Sequence, residues 1–427
     1  MGRRRRSPKL AGGGSVGSRR ELKPFASDPL LEDPPRPFGI GGADPSVYFA
    51  VCRRDWFYGH SSYRMFKVDV SHSEPSSSPG VPPLQKIGFL KTNVGGKTVV
   101  SMLSRWIVAV GGPSRTTVIF DTKIQKQING PKLVSAKQDP VVVTVGYKVY
   151  ALSRCPSYTE DPDFEPWFEV LDLSQAMVVE RADGKLRLVG CSWVALKDPA
   201  CFPCELTPTE FLMPPIIIVR SHVVVGPYIL ISLDQPNSGT YAFDTDTEEW
   251  HKFDNEYLPF VGSPTPHGQS GFIFLGLSQE NGPIKAYRIH VSASSSQSNF
   301  AAVAGSSDKG GTLKLSITKF PLKGMAHDGA GAGAGHCFTS LDTRRSATLA
   351  YWFDNSKCNM RYDDDNCVYY PMRLHVKLAT YQMEEIPEEK QLDMEPEIAI
   401  SRQQERAFKI SSFHGFSYPP IAFVLSI

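Results

Sequence analysis

A short apolar strand that ends in aspartate returns along this chain at nearly even intervals, and no other feature restricts the fold as much. It reads Phe66-Lys67-Val68-Asp69, Val118-Ile119-Phe120-Asp121, Glu169-Val170-Leu171-Asp172 and Tyr241-Ala242-Phe243-Asp244, with Arg288-Ile289-His290 as a fifth, degenerate copy. The markers at 69, 121, 172, 244 and 290 stand 52, 51, 72 and 46 residues apart. A glycine-led strand precedes several of them, as in Gly146-Tyr147-Lys148-Val149-Tyr150, Gly226-Pro227-Tyr228-Ile229-Leu230 and Gly271-Phe272-Ile273-Phe274. Trp106–Val110, Val141–Val145, Val149–Leu152, Val223–Val225, Tyr228–Leu233, Gly271–Leu275 and Leu374–Tyr381 are rich in β-branched and aromatic residues and bounded by turn formers, which reads as strand. No window of eleven residues shows a helical period. With 35 glycines and 34 prolines in 427 residues, the composition favours many turns.

A unit of about 50 residues matches the blade period of a propeller of the kelch type. A four-stranded blade cannot bury both faces alone, whereas blades packed around an axis cover one another. Aspartate suits the turn after the strand because its carboxylate accepts from the backbone amide two residues on. In Phe243-Asp244-Thr245-Asp246-Thr247-Glu248-Glu249-Trp250, Thr247 supports the turn and Trp250 opens the next strand and packs between blades. The structural repeat-turn residues are therefore Asp69, Asp121, Asp172, Asp244 and Trp250, and the 72-residue gap calls for an insertion such as 198–215. The bland alternative is a set of hairpin turns in an unrelated all-β fold. The expected architecture is an all-β, kelch-like β-propeller of six blades over 45–427, with loop insertions near 198–215, 292–311, 326–336 and 384–399, preceded by a disordered basic and proline-rich tail, 1–44.

Charge separates tail from body. Lysine and arginine number 46 against 44 acids, but the first twenty residues hold seven bases and no acid, which leaves the remainder at −5. A mildly acidic body offers no general attraction to nucleic acid, so only the tail would supply it. Arg3, Arg4, Arg5, Arg6 and Lys9 read in three ways: a nuclear-import patch, an acid-poor transit peptide, or a solvated tail with no address. No apolar stretch follows them as a secretory signal would require, and the most apolar run, 216–231, is broken by Arg220, Ser221, His222 and Pro227, so no membrane partner is expected. Eight cysteines are too sparse for a disulfide scaffold and fit an intracellular protein, nuclear or cytoplasmic, or in an organelle if the tail is a transit peptide.

Chemical motifs are few. Gly95-Gly96-Lys97-Thr98 lacks the earlier glycine of a phosphate loop, where Lys91 stands, and continues as strand rather than helix. Cys201-Phe202-Pro203-Cys204 is a single CxxC with Cys191 ten residues before it, and Cys358 and Cys367 lie far off, short of four zinc ligands at a workable spacing. Asp363-Asp364-Asp365 lacks the alternation of a calcium loop, and the ten histidines show no copper-like pairing. Neither a catalytic residue nor a metal or other cofactor is assigned.

The Phe243–Trp250 spacing, and Trp106–Gly112 with its Gly111-Gly112 pair, resemble the kelch motif. Val118–Asp121, Gly130-Pro131, Val145–Leu152 and Gly239–Thr245 through Leu258-Pro259-Phe260 are similar to a grass family of uncharacterised kelch-type proteins that carries a domain-of-unknown-function label; the resemblance covers roughly 45–425. It implies a plant protein with a propeller and no catalytic residues to transfer. The expected function is a non-enzymatic interaction module for an unknown protein or peptide partner. The alternatives are a metal-dependent or other enzyme built on a propeller, or a nuclear protein that uses its basic tail on nucleic acid.

Overall fold

The computed structural model describes residues 45–54, 61–70, 84–90, 96–158, 163–202, 207, 209, 215–235, 238–254, 257–267, 271–280, 284–294, 312–323, 335–342, 344–353, 360–363, 368–383, 398–412 and 416–427. The elements among them are all strands. Twenty-four of the 29 described strands form six four-stranded blades, each running from an inner strand at the axis to an outer strand at the rim. In that order, blade 1 is Phe416–Ser426, Ser46–Arg54, Ser61–Asp69 and Gln85–Leu90. Blade 2 is Lys97–Met102, Trp106–Gly111, Thr116–Asp121 and Lys126–Asn129. Blade 3 is Val141–Val145, Lys148–Leu152, Phe168–Asp172 and Trp193–Ala195. Blade 4 is Val219–Val225, Tyr228–Leu233, Thr240–Asp244 and Glu249–Asp254. Blade 5 is Phe260–His267, Ile273–Ser278, Ile284–Ser294 and Thr312–Phe320. Blade 6 is Gly335–Ser340, Arg345–Phe353, Arg373–Met383 and Ile398–Ser411.

Each inner strand contacts the inner strand of the next blade, and Gly335–Ser340 meets Phe416–Ser426, so the ring closes. The fold is a six-bladed β-propeller. Closure comes from Phe416–Ser426, the last strand in sequence, which pairs antiparallel with Ser46–Arg54, the second strand of blade 1.

The apolar runs are nearly continuous because each blade is buried on both faces, and successive side chains of a strand point to opposite neighbours. In blade 1, Val47, Phe49 and Val51 pack on blade 6 residues such as Leu349 and Val376. Tyr48 and Ala50, between them, pack on Ile107 and Ala109 of blade 2. Val108 and Val110 then face Val149 and Leu171 of blade 3. The pattern continues through blades 3 and 4, 4 and 5, and 5 and 6, so the core is a set of interfaces between blades.

One hydrogen bond recurs in every blade. The residue just before the second strand offers its carbonyl to the amide that follows the residue paired with that strand's first position. The donors and acceptors are Val70 to Pro45, Thr122 to Arg105, Leu173 to Tyr147, Thr245 to Pro227, Ile289 to Phe272 and Met383 to Arg344, at 2.8–3.1 Å. In blades 1 to 4 the residue preceding the donor is the marker aspartate, opposite Ser46, Trp106, Lys148 and Tyr228. In blade 5 that position belongs to Arg288, opposite Ile273, and not to His290, which lies inside a strand running on to Ser294. In blade 6 it is Gln382, opposite Arg345. The fifth sequence copy is thus two residues out of register, and the sixth carries no aspartate.

The 72-residue interval holds a hairpin, Met177–Glu180 and Leu186–Val189, as well as the link after Ala195. The hairpin leaves blade 3 and pairs parallel with the outer strand of blade 2, Leu186 beside Ile128 and Arg187 beside Asn129, so that sheet grows to six strands. Three expected loops are shorter than their bounds: 292–294 ends a strand, 335–336 begins one, and 398–399 begins another. The rest of those loops, most of 198–215 and the tail 1–44 lie outside the described residues.

Two glycines are fixed by different needs. Gly226 opens the two-residue loop between Val225 and Tyr228 with φ +58°, and a Cβ there meets nothing within 4 Å. Gly111, φ +115°, has Pro140 Cδ at 2.7 Å and the Lys137 carbonyl oxygen at 2.8 Å from where a Cβ would sit. We expect Gly226→Ala to cost about 1–2 kcal/mol, the left-handed penalty alone. Gly111→Ala will cost more, because backbone must also move. Urea denaturation of both variants checks the order, and equal losses would contradict it.

Candidate functional site

Antiparallel order puts all connections between first and second strands, and between third and fourth, on one face of the ring. The links from the second to the third strand, and from each blade to the next, lie on the other. The recurrent hydrogen bond and the marker aspartates share the first face.

There, Asp121 Oδ1 accepts from the amides of Lys123 and Ile124 at 3.0 and 3.2 Å. Asp172 Oδ1 accepts from Ser174 at 2.8 Å. Asp244 Oδ1 accepts from Asp246 at 2.9 Å and Thr247 at 3.4 Å. Asp69 accepts from the Ser46 hydroxyl at 2.8 Å and pairs with Lys67 at 2.7 Å. Burial works against ionisation of Asp121, yet Arg105 at 2.7 Å, the Ile124 amide and Trp106 Nε1 at 3.1 Å hold it below the usual carboxylate range. Trp250 lies against Phe243 of its own blade and Phe168 of blade 3, and its Nε1 donates to the Lys197 carbonyl at 3.0 Å. Trp193 makes the matching reach from blade 3 to Thr117 of blade 2, at 2.9 Å. The targeting residues Arg3, Arg4, Arg5, Arg6 and Lys9 lie outside the described residues.

The opposite face carries the most polar buried cluster. Lys137, in the link from blade 2 to blade 3, and Glu169, in the third strand of blade 3, form an ion pair of 2.7 Å with both side chains fully buried. Lys137 Nζ also donates to Ser135 Oγ and the Pro166 carbonyl, each at 2.5 Å. Glu169 Oε2 accepts from the Val134 amide at 2.7 Å, and Oε1 from the Ser135 amide at 3.2 Å. Asp163 accepts from the Gln138 amide at 3.0 Å, and Asp198 from the Trp167 amide at 3.1 Å. Burial raises both of these carboxyls, and it lowers Lys137 against the pull of Glu169.

A serine beside a lysine is also the arrangement of a nucleophile and its base. Here the three acceptors on Nζ favour the ammonium, and no solvent reaches it. The cluster holds the 130–140 and 163–169 segments together. No motif marks this pair in the sequence. Its one signal is an acid, Glu169, set between Phe168 and Val170 in a strand whose neighbours are all buried. Glu169→Ala would strand Lys137 and should cost about 3–5 kcal/mol, whereas Lys137→Met with Glu169→Leu should recover most of that. Urea midpoints measure both, and a double variant as weak as the single one would count against it.

Other motif residues are used inside the ring. Lys97 Nζ donates to the Gly111 carbonyl and Thr116 Oγ1 at 2.5 Å, and burial lowers it to about 8. Thr98 Oγ1 donates to the Pro140 carbonyl at 2.5 Å, and the Gly96 carbonyl accepts from Asp139 at 2.9 Å. Cys191 packs between blades 2 and 3 and Cys201 between blades 3 and 4, so the structure does not bring them together; Cys204 lies outside the described residues. Among the described residues no group of three or more His, Cys, Asp or Glu is placed to hold a metal.

Two histidines of neighbouring inner strands are buried, each with an Nδ1 that has no partner among the described residues. Burial, with the Arg154 charge, lowers His222 to about 3. Burial lowers His267 to about 4, opposed by Asp342. An unfolded histidine titrates near 6.5, so below that pH the unfolded chain binds protons that the folded chain refuses. Stability is therefore full above pH 6.5 and falls as pH drops toward 4, by about 1.4 kcal/mol per unit for each histidine. Asp163 and Asp198 act in the opposite sense, so the difference between wild type and His222→Gln isolates the effect. Urea midpoints from pH 7 to 4.5 should slope less steeply in the variant, and identical slopes would refute the assignment.

Residues 44–401 match the model of a family described as protein of unknown function (DUF1668). No curated protein matches the chain. The matched span stops short of Phe416–Ser426, the strand that closes the ring.

Proposed function

The chain belongs to the DUF1668 family, and from that premise we propose that it is a non-enzymatic interaction module, a kelch-type propeller that holds a protein or peptide partner on the face opposite the marker aspartates. The observation that carries this reading is how the buried Lys137–Glu169 pair presents that face. Glu169 fixes the Val134 amide while the Val134 side chain stands 46% exposed, and Ile216, in the link to blade 4, is 79% exposed. Apolar side chains on links anchored by a rigid scaffold are a common binding arrangement. The kelch assignment draws on the double glycine at 111–112, the marker aspartates and Trp250. The basic tail would set the compartment, nuclear or cytoplasmic, and would be the only part to engage nucleic acid.

The test compares wild type with Val134→Asp/Ile216→Asp in affinity capture from plant extract, after circular dichroism shows both to be folded. Partners retained by the wild type should be lost at least tenfold from the double variant. An identical set of partners would reject this face. Fluorescent fusions with and without residues 1–20 read the role of the tail, and unchanged distribution would remove it.

A further inference from the structure

The hairpin that blade 3 lends to blade 2 presents a free strand without the cations that most outer strands carry. Five of the six outer strands carry exposed cations, Lys86 in blade 1, Lys126 in blade 2, Lys252 in blade 4, Lys314 and Lys319 in blade 5, and Arg402 and Lys409 in blade 6; the three-residue Trp193–Ala195 of blade 3 carries none. Such charges discourage another strand from adding to a sheet edge. Met177–Glu180 is the free end of the six-stranded sheet, and its four residues include no cation. Met177 is 55% exposed, and Val178 and Val179 are half-buried.

The backbone at this edge has a fixed polarity. The Arg181 amide donates to the Lys185 carbonyl at 2.9 Å, in the register that pairs Val179 with Arg187 and Met177 with Val189. Hydrogen-bonded pairs alternate along an antiparallel ladder. Residues 177, 179 and 181 therefore bond inward, and Val178 and Glu180 turn their amides and carbonyls out. Around them the charge is positive. Lys123, Lys126, Arg181 and Arg187 are exposed and make no ion pair among the described residues, while Asp183 is taken by Lys185 at 3.2 Å. Parallel pairing of Leu186 with Ile128 brings Lys126 to the end where the hairpin turns. Glu180 is the acid left over.

We propose that Met177–Glu180 is a strand-addition site for an extended acidic peptide, which bonds to Val178 and Glu180 and sets its carboxylates against Arg181, Arg187, Lys126 and Lys123. Main-chain bonds give such a complex its affinity and the flanking side chains its selectivity. The site is distinct from the face carrying Val134 and Ile216, so either can fail without the other.

The probe is a fluorescein-labelled octapeptide of alternating valine and glutamate, titrated with the full chain at low ionic strength and read by anisotropy. Saturable binding is expected, at least tenfold weaker for the same peptide N-methylated at alternate amides and for the Val178→Pro protein. Arg181→Glu/Arg187→Glu should shift preference toward the valine–lysine octapeptide. The N-methylated peptide is tested on wild type, so the result stands even if Val178→Pro fails to fold. No saturation by about 1 mM, or equal binding of methylated and unmethylated peptides, overturns the proposal. So does a DNA oligonucleotide that displaces the peptide and binds wild type and Val178→Pro alike, which would assign the cations to phosphate.

Discussion

Every blade of this ring has two apolar faces, and only a neighbour on each side removes both from water. That requirement organises the molecule. Val47 and Tyr48 are adjacent in sequence yet belong to cores on opposite sides of their blade, with blade 6 and with blade 2. Stability is thus a property of interfaces, and a blade at an open end would leave one face in solvent. Inner-strand hydroxyls tie neighbours at the same seams. Thr98 bonds to the Pro140 carbonyl, Ser221 to that of Phe260 and Ser426 to that of Ser340.

Within this frame the recurrent amide-to-carbonyl bond explains why the sequence repeats at all. It fixes the second and third strands of each blade against the turn that precedes them. In blades 2 and 4 the aspartate beside it organises the turn to the fourth strand, and in blade 3 the turn into the inserted hairpin. The copies in blades 2 and 4 are legible because the turn to the fourth strand is tight and needs a short acceptor. Blade 5 hides its copy because the third strand runs on past Arg288 to Ser294, so no turn occurs there for an aspartate to cap. Blade 6 places Gln382 at the same point, one residue before its strand ends. The backbone bond survives in both, since it requires no particular side chain.

The polar interior is much less legible. Lys137 and Glu169 are 32 residues apart and meet only because the link from blade 2 folds over the third strand of blade 3. No local pattern encodes such a meeting, although an acid in the middle of a doubly buried strand hints that a partner must exist. The same holds for the hairpin at 177–189. Its strands are short, and its destination on the preceding blade depends on an edge that sequence cannot locate. Residues that stand out by motif, such as Lys97 and Cys201, are occupied within the fold or separated by it.

The way the ring closes sets an order on its birth. The strand Ser46–Arg54 is made early, but the strand that fills its inner side begins at Phe416. At the usual pace of translation, that inner side waits on the order of 20–70 s on the ribosome before its permanent neighbour is synthesised. For that interval blade 1 is a three-stranded sheet with a bare hydrophobic border, the form most open to mispairing. A chaperone, or slow collapse of the later blades, would keep that border clear until Phe416–Ser426 arrives.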